Sequence, residues 1–321
     1  MIDNGSKDRS PDIIQKYEAK YPEIHMIEGS GKGPGASRNR GLKLAKGDYI
    51  VFADADDYLP DKEIFCKYIN LAEQTDADIV VSNYARLWKD KILPATKHQS
   101  FALCSPSSEE FRFQGFFSVG TLSYAWGKLY RREFLRNHQI YFADLSYAED
   151  KLFNMQCYIC DAKYAFLEDI GYIYRKNDMS VSWQYRPDSV ENWFKLVYEL
   201  KSWIEKKDKD PKEYTSLIGY LLIFAAFFDG KMEYMQHINS LWSVRKVLKK
   251  YGSNPMGRKA FTELADRRKK LQITQKLWKI MIRTFSLGMK WRWYLLMSVG
   301  IKILVSCRVD ERLSDTGLRK K

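Results

Sequence analysis

Residues 49–53 form an unbroken apolar run that ends in Asp54-Ala55-Asp56-Asp57, and this pairing constrains the fold more than any other feature. A wholly apolar run of this length, set between Lys46-Gly47-Asp48 and an acidic turn, reads as a strand buried on both faces. Such a strand needs helices above and below it. Residues 77–82 (ADIVVS) repeat the pattern, and helix-like stretches at 36–45 and from Leu59-Pro60 to about Glu73 alternate with these strands. Strand and helix alternating at this spacing predict an α/β fold, a mostly parallel sheet wrapped by helices. Ile2 reads as the end of an earlier strand, Ser10-Pro11 as a helix start and Ile24–Ile27 as a short strand. From Trp88 to Gly120 the pattern loosens into an irregular, insert-like region. Order returns at Trp126–Leu135, a helix from Glu149 to Cys160, and strand-like runs at Lys163–Leu167 and Tyr172–Arg175.

After Pro187 the reading is helical almost throughout, with a hinge at Lys206–Pro211. We therefore expect two parts, a sheet-containing domain over 1–205 and a helical extension over 206–321. Charge divides in a similar place. Residues 241–321 hold 21 Lys+Arg against 5 Asp+Glu, whereas the first 240 hold 32 against 35. A slightly acidic main part argues against nucleic acid as a partner, and the basic tail suits an anionic surface. The apolar run Leu217–Phe228 falls short of about 20 residues and reads as a buried helix; Trp293–Cys307, broken by Lys302, falls short as well. No signal peptide is visible, and five cysteines suggest no disulfide framework, so a reducing cytosol is the expectation. Cys157 and Cys160 form the sole CxxC and read as thiols on a helix.

Several positions suit chemistry. Asp54 and Asp56 leave the end of a buried strand, where a hard cation that shares its ligands with substrate phosphates would sit; the plainer reading is an acidic turn capping the next helix. Asp3, ahead of Gly5-Ser6, can accept hydrogen bonds from a base or ribose, with Ser6 ordering the loop, or can simply close a turn. Arg38-Asn39 follows a glycine-rich loop at a helix start, a place that attracts anions, though a surface Arg would look the same. Glu149-Asp150 opens a helix, where acids are favoured anyway; a catalytic role would put one of them beside a hydroxyl it can deprotonate. Arg175, followed by Asn177, Ser180 and Ser182, could close over a diphosphate or order a loop. Taken together, these groups point toward nucleotide-sugar chemistry.

IDNGSKD, GPGASRNRGL, FADADD, WGKLYRREFL and AEDKLF, in this order, closely resemble the family 2 glycosyltransferases of the GT-A fold over about residues 1–185. The resemblance implies a Rossmann-like GT-A domain and inverting transfer of a sugar from a nucleoside-diphosphate donor to an acceptor hydroxyl, in bacterial capsule, exopolysaccharide or wall-polymer synthesis. It implies that Asp3 and Arg38 reach the nucleotide, that Asp54 contacts ribose and that Asp56 binds Mg²⁺ or Mn²⁺. Asp150 matches the catalytic base, with Glu149 near the acceptor. Saccharide or lipid-linked acceptors follow from the family. Residues 275–309 mix Trp278, Trp291, Trp293 and Tyr294 with Lys276, Lys279, Arg283, Lys290 and Arg292, which suits either a helix lying on an anionic membrane surface, the inner face for a cytoplasmic protein, or an amphipathic helix packed on the main domain. Family members usually begin with one more strand and helix. Against that pattern the chain starts inside the second strand, so a shortened, non-catalytic subunit binding a polymer or a partner transferase is the competing expectation. A QxxRW-type motif is missing, which argues against a processive synthase.

Overall fold

The computed structural model describes residues 1–31, 33–89, 91–94, 98–175, 186–237 and 240–307. Asn177, Ser180 and Ser182 lie outside the described residues. The chain opens with β1 (Ile2–Asp3), α1 (Ser10–Lys20), β2 (Ile27–Glu28), α2 (Pro34–Leu44) and β3 (Tyr49–Val51). Then come α3 (Ile64–Thr75), β4 (Ile79–Trp88), β5 (Lys91–Pro94), α4 (Gln99–Ala102), α5 (Glu109–Phe113), β6 (Lys128–Arg131), α6 (Arg132–Asn137), α7 (Glu149–Ile159) and β7 (Tyr164–Arg175). The rest is helical: α8 (Ser189–Lys206), α9 (Thr215–Gln236), α10 (Leu241–Ser253), α11 (Pro255–Ala265), α12 (Lys276–Lys290) and α13 (Tyr294–Ser306).

The α/β class and the helical extension are as expected, but the strand directions are not. β1 and β2 make a small parallel sheet of their own, with Ile2 opposite Ile27. The main sheet runs β3-β6-β4-β5, with β7 also on β4, and only β4–β7 is parallel. An apolar run reports burial on both faces and carries no information on direction. Direction is set by the connections: β4 turns directly into β5, and the chain reaches β6 through short helices rather than through one long crossover helix.

Those short helices correct a second expectation. The Trp88–Gly120 region is part of the core, since Phe101, Phe111, Phe113 and Phe116 are all fully buried. A π-helical stretch at Gln114–Ser118 and a 3₁₀ turn at Thr121–Ser123 follow α5. Elements this short leave no helical period to read.

One apolar cluster runs from Ile50 on β3 through Leu200 and Trp203 on α8 to Ile301 on α13. Its centre is aromatic. Phe52 meets Tyr130, Phe142 and Phe153 edge-on with centroids at 5.6, 5.2 and 5.7 Å, and Phe142 stacks on Phe153 at 4.1 Å. Phe52 lies two residues before Asp54, and Phe153 lies one helical turn after Asp150. This cluster therefore fixes the end of β3 and the start of α7 relative to each other. In the extension, the run Leu217–Phe228 is indeed a largely buried helix, with Leu217, Tyr220, Leu221 and Leu222 in the core. α9 is the one described helix long and apolar enough to cross a membrane, and 56% of that window is buried within the protein.

Candidate active site

Arg38 is the hub of the site. It projects from α2, whose N-terminus follows Gly33 at φ 91°, in the left-handed region that glycine adopts without strain. Gly35 then lets the helix approach α7: a Cβ there would lie 3.2 Å from Glu149 Cγ and 3.3 Å from Phe142 Cβ. At that distance Arg38 Nη2 donates to Asp54 Oδ1 at 2.7 Å, and Nη1 donates to Glu149 Oε1 at 2.9 Å and Asp150 Oδ1 at 2.6 Å. One guanidinium thus gathers three carboxylates from elements 16 and more than 100 residues away in sequence.

The electrostatics follow from that geometry. Arg38, Glu149 and Asp150 are mostly buried, while Asp54 is about a third exposed. Burial pushes the Asp150 carboxyl up to about 6, against the pull of Arg38, and Glu149 beside it acts in the same direction. Arg38 is held charged, because Asp150, Asp54 and Glu149 outweigh the burial that opposes its charge. A single cation among three carboxylates leaves the cluster acidic overall.

Asp150 has a second support. Its Oδ2 accepts the Ala125 amide at 2.9 Å. The loop carrying Ala125 is tied down by Lys128, which is fully buried and donates to the carbonyls of Thr121 at 2.6 Å, Tyr124 at 2.5 Å and Trp126 at 3.4 Å. Asn154 adds a bond to the Tyr124 carbonyl and another to that of Asp150. Ala148, directly before the acid pair, sits at φ 62°, a conformation that costs an L-residue roughly 1–2 kcal/mol. Strain of this kind persists only where surrounding structure imposes it.

The acidic turn after β3 divides its work. Tyr172 Oη accepts the Asp54 amide at 3.0 Å and donates to Asp57 Oδ2 at 2.9 Å. Asp57 Oδ1 takes the Arg175 amide at 2.7 Å, so Asp57 joins the turn to β7. Burial raises the Asp57 carboxyl to about 6. Tyr172 is locked in turn by Trp126, stacked on it at 4.6 Å and on Tyr124 at 4.5 Å. Tyr172→Phe should cost about 1 kcal/mol by leaving two part-buried partners without their bonds to the hydroxyl. A fall in Tm with the secondary structure unchanged checks this, and an unchanged Tm would make the hydroxyl dispensable.

Not every expected residue reaches the cluster. Asp3 accepts the amides of Gly5 and Ser6 at 3.2–3.3 Å, which closes the turn after β1. Its carboxyl is held below the usual range, mainly by Ser6. Asn39 exchanges both amide atoms with Phe142, donating at 2.7 Å and accepting at 2.9 Å, so it anchors α2 to the segment before α7. The Arg175 side chain lies over the Tyr58 ring at 5.8 Å. Asp56 is exposed. Among the described residues, no hydrogen bond or ion pair joins Asp3, Ser6, Asp56 or the Arg175 guanidinium to the Arg38 cluster.

The donor set fits a divalent cation of one kind. No group of three or more His, Cys, Asp or Glu among the described residues could hold a metal alone. Asp56, whose carboxylate makes no hydrogen bond or ion pair among the described residues, and Asp54, with one oxygen on Arg38, offer two carboxylates. One or two carboxylates completed by phosphate oxygens is the usual mode for Mg²⁺.

Lys128 and Tyr172 escaped the sequence reading as site residues. A lysine inside the apolar pattern of WGKLY was the available signal, since an ionisable group on a buried strand needs a reason.

The chain is similar to known glycosyltransferases. Residues 1–138 match the model of the family described as "Glycosyl transferase family 2". The chain is 26% identical over 215 residues to a putative glycosyltransferase, EpsH, of Bacillus subtilis (strain 168), covering 65% of this chain and 61% of that protein. It is 30% identical over 205 residues to the uncharacterized glycosyltransferase EpsJ of the same organism, covering 63% and 59%. A third relative is the poly(ribitol-phosphate) beta-glucosyltransferase of Bacillus spizizenii, 28% identical over 227 residues and matched over 34% of its length. The chain thus spans between about a third and about three-fifths of the length of these relatives. Among solved structures, S. aureus TarS 1–349 in complex with UDP-GlcNAc superposes with a TM-score of 0.64 at 19% identity, covering 92% of this chain and 80% of that one. That likeness shows a shared GT-A fold.

Proposed function

We propose, for a chain that belongs to glycosyl transferase family 2, that it transfers a sugar from a nucleoside-diphosphate donor to an acceptor hydroxyl with inversion. The observation that carries this is the Arg38 hub, which brings a strand-end carboxylate, Asp54, within one guanidinium of a buried acid, Asp150. The donor diphosphate lies at the Asp54 side, with Asp3 and Ser6 toward the nucleotide. Asp150, lifted to about 6 by burial, is ionised at physiological pH and matched to accept a proton from a hydroxyl. As the hydroxyl oxygen bonds to the anomeric carbon, Asp150 takes its proton and the bond to the diphosphate breaks on the opposite face. Glu149 lines the acceptor side, and Arg38 supplies positive charge between the two reacting ends.

Asp56, with help from Asp54, would hold Mg²⁺ or Mn²⁺. When bound, the metal neutralises charge on the leaving diphosphate. We take UDP as the first nucleotide to try, since the neighbour of like fold was solved with UDP-GlcNAc. Acceptors of the wall-polymer or exopolysaccharide class agree with the names of the relatives, and the donor chemistry suits the cytoplasm.

The test is thermal unfolding with UDP, with and without Mn²⁺. UDP should raise Tm with Mn²⁺ present, the rise should vanish in EDTA, and Asp56→Ala should abolish it. No shift with any nucleoside diphosphate would favour the non-catalytic subunit.

A further inference from the structure

α12 carries a second, unrelated pattern. Leu277, Ile280, Thr284, Leu287 and Trp291 recur at spacings of three and four residues, so they share one face of that helix and its end. Of these, Leu277, Ile280 and Trp291 are exposed. The exposed apolar surface continues through Trp293 into Leu295 and Leu296 at the start of α13. Trp242, at the start of α10, is 62% exposed, against 59% for Trp291 and 51% for Trp293. A soluble fold has no use for three tryptophans facing water, and aromatic residues with one wet and one apolar side favour a bilayer interface.

Cations frame the same surface. Arg245 lies over the Trp242 ring at 5.3 Å, and Lys290 over Trp291 at 5.8 Å. Arg245 also shares a shallow depression with Arg292 and residues 293–296, which brings the start of α10 to the α12–α13 turn. From residue 267 to 307 the sequence holds ten Lys+Arg and not one Asp or Glu.

From this geometry we infer that the α12–α13 turn and the start of α10 form a docking surface for an anionic lipid bilayer, entered by Trp291, Trp293 and Leu296 and held by the surrounding cations. Charge complementarity selects this occupant. A second copy of the chain would press two cationic faces together with no acid in this segment to offset them. A nucleic acid would satisfy the cations and leave the leucines and isoleucines in water. The tryptophans and leucines match the headgroup and acyl boundary, and each cation near an anionic surface adds about fivefold to partitioning. This surface does not depend on the transfer reaction.

The experiment is flotation of the full chain with vesicles of phosphatidylcholine alone and with about 30% phosphatidylglycerol added. We expect binding to the anionic vesicles with a blue shift in tryptophan emission, and weak binding to the neutral ones. Trp291→Glu with Trp293→Glu should lower anionic-vesicle binding at least about tenfold and leave Mn²⁺-dependent protection by UDP unchanged. Leu296→Glu, in the first turn of α13, gives a second reading if the double variant folds poorly. Equal binding by wild type and variants would overturn the assignment. So would absence of vesicle binding, with or without self-association or DNA binding.

Discussion

Asp150→Asn is expected to lower the rate of transfer by about 10²–10⁴-fold while the protein stays folded and still binds donor nucleotide. The substitution is nearly isosteric and retains an oxygen for the Ala125 amide, so the loop held by Lys128 need not move. The substitution removes the capacity to take a proton together with the negative charge facing Arg38, which keeps Asp54 and Glu149 as partners. The same base gives the wild type an acid limb: kcat/KM should rise with pH through about 6, the position to which burial lifts the Asp150 carboxyl, and then level off. In Asp150→Asn that limb should be absent from whatever activity remains. Transfer at the wild-type rate would remove Asp150 from the chemistry, and an acid limb retained in Asp150→Asn would assign the titration to another group.

Arg38→Met is expected to be the most destabilising single change at the site. It deletes the one cation shared by Asp54, Glu149 and Asp150, of which Glu149 and Asp150 are mostly buried. Removing one partner from a buried ionic cluster costs about 3–5 kcal/mol, because the charges left behind have no compensation. The pH dependence carries a definite sign. Without Arg38 the Asp150 carboxyl loses the charge that opposes the effect of burial and titrates higher in the folded state than in wild type, so the folded variant binds extra protons as pH falls. The deficit relative to wild type should therefore be large near pH 8 and shrink toward pH 5, read as the difference in Tm between the two proteins. A deficit that does not change with pH would mean that Arg38 acts through packing on Phe142, over whose ring it lies at 5.4 Å.

The parts of this fold that were legible in the sequence share a cause. Residues 49–53 and 79–81 are apolar without interruption, and that pattern marks a buried strand regardless of context. The helix at 149–159 was legible because Glu149 and Asp150 open it, acids being favoured in a first helical turn. Direction was not legible, and β6 lies antiparallel to β3 and β4 because short helices, rather than a crossover helix, lead into it. The aromatic segment before β6 looked irregular because four- and five-residue helices carry no readable period, although its phenylalanines fill the core.

At the site, sequence order picked out Arg38, Asp54, Glu149 and Asp150 as separate candidates, and their meeting on one guanidinium is a property of the fold. Asn39 read as a nucleotide contact because its position beside Arg38 could not reveal its paired bonds to Phe142. Tyr172 lay within the aromatic run Tyr172-Ile-Tyr-Arg175, where nothing distinguished the hydroxyl that reaches both Asp54 and Asp57.

The central claim is that the edge of this carboxylate cluster receives a metal-bound diphosphate. Anomalous scattering from crystals grown with Mn²⁺ and UDP tests it directly. The expected result is a manganese peak at about 2 Å from an Asp56 oxygen, with the diphosphate on the Asp54 side of Arg38. Nucleotide bound away from Arg38, or manganese on any other residues, would contradict it.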